Sequence, residues 1–268
     1  MKVLNGSEIA GFIKERQAQA VRNLRQEYKI FPKLDIIVTV DNPVINVYMR
    51  LKERYGTDIQ VAVEVHRITQ AKAPELIKKL NADMTVHAII VQLPLENPLE
   101  TDAVVDLVEP SKDVDALGKN AIYEPATPMA IMWLLSGYNV DFKGKRFLLI
   151  GKGKLVGAPL EKILRSSDYD VSIADRSTTD LKAATLDADI IISAAGSPAV
   201  LSSDMIKQGA VVVDAGVASE DGKTVGDLAK DVYERDDLTL TPTRGGVGPL
   251  TVCALFDNVI RAARTMGK

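Results

Sequence analysis

The sequence predicts an α/β protein of two domains, and three observations carry that prediction. Up to about Pro110, apolar runs alternate with amphipathic stretches at the lengths of β-α-β units. A second series of apolar runs opens at Phe147 and is followed at once by Gly151, Gly153 and Gly157. Between the two series, Glu109 to Pro128 carries charges, glycine and prolines without a period, as a linker or an active-site rim does.

Composition bounds the function. A chain of 268 residues, 46% apolar, can bury one large core or two ordinary ones, and its net charge of -3 is near balance. No basic stripe marks nucleic acid as a main partner. No apolar signal core follows Met1 and Lys2 and no long uncharged apolar stretch occurs, so the expectation is a cytoplasmic protein without a membrane partner. Cys253 is the only cysteine, which excludes an intrachain disulfide, and its apolar helical surroundings predict a buried small side chain. His66 and His87 have no third ligand at metal spacing, so no metal is expected.

The elements follow in order. Ser7 to about Tyr28 reads as a helix capped by Ser7, with Ile9, Phe12, Ile13, Ala20, Val21 and Leu24 as its stripe. Leu34–Val40 reads as a buried strand broken by Asp41, Asn42 and Pro43. The next helix carries Val44, Val47, Tyr48, Leu51 and Tyr55 and stops at Gly56. A strand within 58–68, a helix over 73–83, a strand over 86–95 and a helix over 100–108 complete the first series. Pro128 opens a bridging helix through Met129, Ile131, Trp133 and Leu134. Strands then follow at 147–150, 169–174, 188–196, 209–216 and 238–240. A last helix, from about Leu250 to Ala263, is expected to fold back toward the first domain.

The turn after Phe147–Ile150 has the chemistry of a nucleotide site. Gly151 allows a tight turn, Gly153 lets backbone approach a pyrophosphate, and Gly157 lets the following helix pack close, with ligand charge at its N-terminus. The spacing is one residue longer than the commonest dinucleotide fingerprint, and a tight loop in any α/β sheet is the alternative. Asp175, near the end of the next strand, stands where an acid binds a ribose hydroxyl of NAD, whereas Lys152 and Arg176 could flank a 2'-phosphate. Charge alone leaves that choice open.

Other residues qualify by placement. Tyr48 and Lys52 are one helical turn apart on one face, and a lysine desolvated beside an aromatic ring can move protons; a solvated lysine is the alternative. Gln92 closes an apolar strand, where open α/β sheets place ligands. Asp113 and Asp115 face one side if the loop is extended, one toward a ligand and the other holding the loop, unless both are simply solvated. Gly245, Gly246 and Gly248, followed by Pro249, let backbone approach a ligand.

With these residues in view, the chain resembles the bifunctional methylenetetrahydrofolate dehydrogenase and methenyltetrahydrofolate cyclohydrolase family. The resemblance rests on "YMRLK" (Tyr48 to Lys52), "VQLPL" (Val91 to Leu95), "KDVDA" (Lys112 to Ala116), "TP" (Thr127, Pro128), "GKGKLVGAP" (Gly151 to Pro159), "VGDL" (Val225 to Leu228) and "TPTRGGVGPLT" (Thr241 to Thr251), in family order over nearly the whole chain. It implies a folate-binding catalytic domain over 1–122 plus 250–268, a Rossmann-like NAD(P)-binding domain over 123–249, a folate cleft between them, and a homodimer formed largely through the nucleotide domain. It implies Lys52 as the residue central to cyclohydrolase chemistry, Tyr48 packed on the folate rings, Gln92 positioning Lys52, and Asp115 anchoring the pterin. Leu93, Pro94 and the loop Gly245, Gly246, Val247, Gly248, Pro249 line the substrate, while Gly151, Lys152, Gly153, Gly157, Asp175 and Arg176 hold the cofactor. NADP is the implied cofactor, with NAD as the alternative.

The chain also departs from the family pattern. Lys152 and Gly153 replace an arginine and a serine, Asp175 and Arg176 replace "HS", Ala116 replaces a glycine, Ala126 a cysteine, Ile45 a serine, and Arg244 a proline. The segment between Asn120 and Thr127 is also shorter than usual. These changes keep two alternatives beside the bifunctional enzyme: a dehydrogenase with weak or lost cyclohydrolase activity, and a noncatalytic folate- or nucleotide-binding regulator.

Overall fold

The computed structural model of the chain describes residues 2–220 and 223–266; the side chains of Val44, Ser219, Glu220, Lys223 and Thr224 lie outside the described residues. Its elements are β1 (Lys2–Val3), α1 (Gly6–Glu27), β2 (Lys33–Val38), α2 (Pro43–Ile59), β3 (Ala62–Arg67), α3 (Ala73–Ala82), β4 (Ala88–Gln92), α4 (Thr101–Val105), α5 (Ala126–Gly137), β5 (Arg146–Ile150), α6 (Gly157–Ser166), β6 (Asp170–Ala174), α7 (Leu181–Asp187), β7 (Ile190–Ser193), β8 (Val211–Asp214), β9 (Ala218–Glu220), β10 (Lys223–Val225), β11 (Thr239–Leu240) and α8 (Val247–Met266). They divide into two compact units. One holds the residues up to Ala10 with Thr127–Thr251, and the other Gly11–Ala126 with the described residues from Val252 on.

The first unit is built on an all-parallel sheet ordered β1-β11-β8-β7-β5-β6. Its central strands are continuous apolar runs whose successive residues are buried, as strands covered on both faces require. Phe147, Leu148, Leu149 and Ile150 are each at most 3% exposed, and Ile191 and Val212 are fully buried. The first residues belong here rather than with the span 1–122 expected from the sequence. Lys2 donates its backbone N–H to Leu238 O, and Leu4 donates to Leu240 O, so β1 extends the sheet edge. Two residues are too short a run for periodicity to find. The α1 cap also differs from expectation. Asn5 Oδ1, not Ser7, accepts a backbone N–H, that of Ser7 at 3.1 Å.

The second unit has a three-stranded parallel sheet, β3-β2-β4, with β2 fully flanked. Ile37, Ile77, Val86 and Ile89 pack the face toward α3. Contrary to the expectation, Gly56 does not stop α2; the helix runs on to Ile59. A Cβ on Gly56 would lie 2.4 Å from Val63 Cγ2, so this glycine lets α2 approach β3. In α1, Val21 and Leu24 of the expected stripe are buried, whereas Phe12 is exposed and Gln17 is buried in its place; in α2, Val47 and Leu51 are exposed, while Ile45 and Met49 are buried. In α8, Phe256 and Val259 are fully buried, and Phe256 stacks obliquely on Tyr55 at 4.9 Å between centroids. Cys253 is buried and receives the Tyr55 hydroxyl at 3.2 Å. No helix among the described residues is long and apolar enough to cross a membrane.

One buried cation ties this unit's loops to its helices. Lys112 is 3% exposed, and its ammonium donates to Leu80 O at 2.8 Å, Asn81 O at 2.9 Å and Asp83 O at 2.7 Å, the carbonyl end of α3. Lys112→Met removes three charge-assisted bonds, and we expect a loss of about 2–3 kcal/mol of unfolding free energy. Urea denaturation checks this through a lowered midpoint at constant slope. An unchanged midpoint contradicts the role.

Candidate active site

Three separate segments of the second unit bring their polar side chains together. Lys52, in the middle of α2, donates to Gln92 Oε1 at 2.8 Å, and Gln92 is the last residue of β4. The Gln92 amide is itself oriented, since its Nε2 donates to Leu93 O at 2.8 Å and so turns Oε1 toward the lysine. Leu93 and Pro94 follow through a cis peptide. Burial pulls the Lys52 ammonium below the usual lysine value, and the charge of Asp115 partly restores it. Burial likewise raises the Asp115 carboxyl, and Lys52 partly lowers it again. Tyr48, one turn before Lys52, is half-buried, and that burial raises its phenol. The arrangement joins a desolvated amine, a fixed amide acceptor and a carboxylate, which is a set able to relay protons.

The loop bearing Asp115 is held by its neighbours. The segment is not an uninterrupted extension. The chain turns at Ala116, which has φ +56, and Asp113 folds inward. Its Oδ2 accepts Gly118 N at 2.8 Å and its Oδ1 accepts Leu117 N at 3.4 Å. Thus Asp113 holds the loop while Asp115 faces Lys52 electrostatically. Asn258 on α8 adds a second anchor, donating to Val114 O at 2.9 Å and Glu124 O at 2.8 Å. Sequence reasoning missed Asn258 and Lys112. The available signal was an asparagine inside the apolar stripe of α8, which a buried helix tolerates only with partners.

In the first unit the glycine turn has the form expected of a phosphate cradle. Gly151 has φ +97, and a Cβ there would lie 2.5 Å from Ala194 O; a Cβ on Gly157 would lie 1.9 Å from Gly151 O. Gly153 instead faces open space. Val156 precedes α6 without any side-chain cap bond, and the helix has no acid in its first turn, so its N-terminal amides are not claimed by a carboxylate of that turn. The sheet reverses its winding between β5 and β7, the place where open α/β sheets bind ligands. These features fit a dinucleotide's pyrophosphate. Lys152 and Arg176 are exposed beside the turn. Asp175 Oδ1 accepts Ser177 N at 2.8 Å and Ser177 Oγ at 2.6 Å, and these bonds, with Lys152 nearby, hold its carboxyl below the ordinary range.

The Gly245–Pro249 segment lies in the first unit. Gly245 has φ +81 and its carbonyl accepts Ser7 N at 3.0 Å. Val247, Gly248 and Pro249 form the first turn of α8; Val247 is buried, and Gly248 faces open space. Elsewhere, His66 does gather two further potential ligands that spacing did not reveal, Asp35 and Glu64 on paired strands, all within 4.8 Å. Lys33 already supplies their cation, at 2.7 Å from Glu64 and 3.5 Å from the fully buried Asp35. His87 accepts Lys33 N through Nδ1 at 3.3 Å, and burial lowers its pKa.

Comparison with known proteins also finds two parts in the chain, with bounds that differ from the two units at residues 4–10 and 252–266. The family model described as the catalytic domain of tetrahydrofolate dehydrogenase/cyclohydrolase matches residues 4–115, and the model of its NAD(P)-binding domain matches 125–266. Bifunctional protein FolD of Francisella tularensis subsp. holarctica is 34% identical over 282 residues, covering 100% of both chains. The bifunctional enzyme FolD of Campylobacter jejuni has a structure similar at TM-score 0.91 with 34% identity, over 99% of each chain. The Trypanosoma brucei dehydrogenase-cyclohydrolase, solved with NADP and an inhibitor, matches at TM-score 0.91 and 29% identity over 98% of this chain and 97% of that one. The chain belongs to the tetrahydrofolate dehydrogenase/cyclohydrolase family.

Proposed function

We propose that this protein oxidises 5,10-methylenetetrahydrofolate to the 5,10-methenyl cation with a nicotinamide dinucleotide and hydrolyses that cation to 10-formyltetrahydrofolate. The observation that carries the proposal is the Lys52–Gln92 hydrogen bond beside Asp115. A noncatalytic binder needs a pocket, but it has no use for an amine desolvated and fixed in place. The bifunctional relatives support the same pair of reactions.

A bound nicotinamide supplies the acceptor for hydride leaving the methylene carbon. In the hydrolysis, a water oxygen bonds to the methenyl carbon while Lys52 takes a proton from that water. The bond from this carbon to N5 then breaks, N5 receives a proton, and one proton is released overall. A lowered Lys52 pKa raises the fraction of neutral amine able to act as base near neutral pH. Gln92 holds the amine in register, Asp115 accepts the pterin's N–H groups, and the Tyr48 ring packs on the folate. The loop from Gly245 to Pro249 is assigned to the substrate on the family pattern alone, as is a homodimer through the nucleotide unit.

The choice of dinucleotide is set at the end of β6. Lys152 and Arg176 support NADP, the cofactor of the Trypanosoma relative's complex. Asp175 supports NAD, because a carboxylate kept ionised repels a 2'-phosphate and accepts ribose hydroxyls.

The purified protein is supplied with methylenetetrahydrofolate and either dinucleotide, and reduced cofactor, methenyl intermediate and formyl product are followed separately. Reduced cofactor and formyl product are both expected; no reduction with either dinucleotide removes the dehydrogenase reading. Lys52→Met should abolish hydrolysis of supplied methenyl substrate with the fold intact by circular dichroism, and a retained rate removes Lys52 from its role. Asp175→Ser should raise the ratio of kcat/KM for NADP to that for NAD by about tenfold, on the order of 1.4 kcal/mol of discrimination. An unchanged ratio shows that the acid does not read the ribose.

A further inference from the structure

The "VGDL" landmark has no part in the chemistry above, yet its aspartate accepts three hydrogen bonds inside the first unit. Asp227 is fully buried. Its Oδ2 accepts Ser193 Oγ at 2.6 Å and Ala195 N at 2.8 Å, and its Oδ1 accepts Ser197 N at 3.0 Å. All three donors lie on the end of β7 and the loop that leaves it. That loop is the wall against which the phosphate turn is built. Ala194 N donates to Ile150 O at 2.8 Å, and Ala194 O is the atom a Cβ on Gly151 would strike.

A second carboxylate holds the first in place. Asp214, ending β8, accepts Asp227 N at 3.0 and 3.1 Å, Gly216 N at 3.0 Å and Leu228 N at 3.3 Å. The packing leaves no slack around either acid. A Cβ on Gly216 or on Gly226 would lie 2.0 Å from an oxygen of Asp227 or Asp214 respectively. The brace therefore runs from β8 through the 226–228 backbone to the loop after β7, and ends at the β5/β7 switch point.

We propose that Asp227 is a positioning residue for the dinucleotide: its carboxylate fixes residues 194–197 as the far wall of the crevice whose near wall is Gly151 to Gly157. The inference rests on the dinucleotide reading of that crevice. Without the carboxylate, Ala195 N, Ser197 N and the Ser193 hydroxyl lose their shared acceptor, and the wall relaxes away from the bound cofactor.

The test separates cofactor binding from Lys52 chemistry. Asp227→Asn preserves shape but replaces one acceptor oxygen by a donor. It should weaken NAD and NADP, measured as Kd by isothermal titration calorimetry, by tenfold or more. The KM for the dinucleotide should rise in parallel, while hydrolysis of supplied methenyltetrahydrofolate, which needs no dinucleotide, stays within twofold. A wild-type Kd in folded Asp227→Asn overturns the proposal. A parallel loss of hydrolysis with intact circular dichroism also overturns it, since the effect is then not confined to the cofactor. If Asp227→Asn does not fold, Ser193→Ala, which deletes one of the three bonds, decides: Kd weakened two- to fivefold with hydrolysis unchanged supports the role, and an unchanged Kd overturns it. Wild-type protein that binds neither dinucleotide instead removes the functional reading on which the proposal stands.

Discussion

The proposed chemistry depends on keeping an amine out of water without leaving it unpartnered. A lysine on a helix face ordinarily stays solvated and fully protonated. Lys52 is held instead against the end of a parallel strand, where Gln92 accepts its hydrogen bond and Asp115 supplies a compensating charge. Desolvation and charge pull in opposite directions, and desolvation is the larger on both partners. The result is an amine that can change protonation state during a reaction. Much of the second unit serves this balance. Asp113 and Asn258 pin the loop that carries Asp115, and Lys112 ties the start of the same loop to the carbonyl end of α3.

The first unit depends on a different constraint, backbone contacts closer than any side chain permits. Gly151 touches Ala194, Gly157 touches Gly151, and Gly216 and Gly226 touch the braced pair Asp227 and Asp214. Those four glycines are packing requirements, whereas Gly153 faces open space.

Much of this was legible from the sequence because buried parallel strands and glycine turns leave strong local patterns. The runs at Phe147–Ile150, Ile190–Ser193 and Val211–Asp214 are strands in the structure, and Gln92 does close β4. Pattern reading failed where long-range packing decided. The two-residue β1 exists because β11 offers it an edge, α2 passes through Gly56 because Val63 leaves space only for hydrogen, and Phe12 points outward although it fits a stripe. The pairing of Lys52 with Gln92 joins residues far apart in the chain. Its members were nameable, but their bond was not.

The central claim is that burial, more than the neighbouring charge, governs Lys52. The most direct measurement is an NMR titration of the Lys52 side chain in protein labelled with ¹³C at lysine Cε, repeated on Asp115→Asn. The account predicts a midpoint below the 10.5 of an ordinary lysine, displaced further downward when the Asp115 charge is removed. A midpoint at or above 10.5, or an upward displacement in Asp115→Asn, contradicts it.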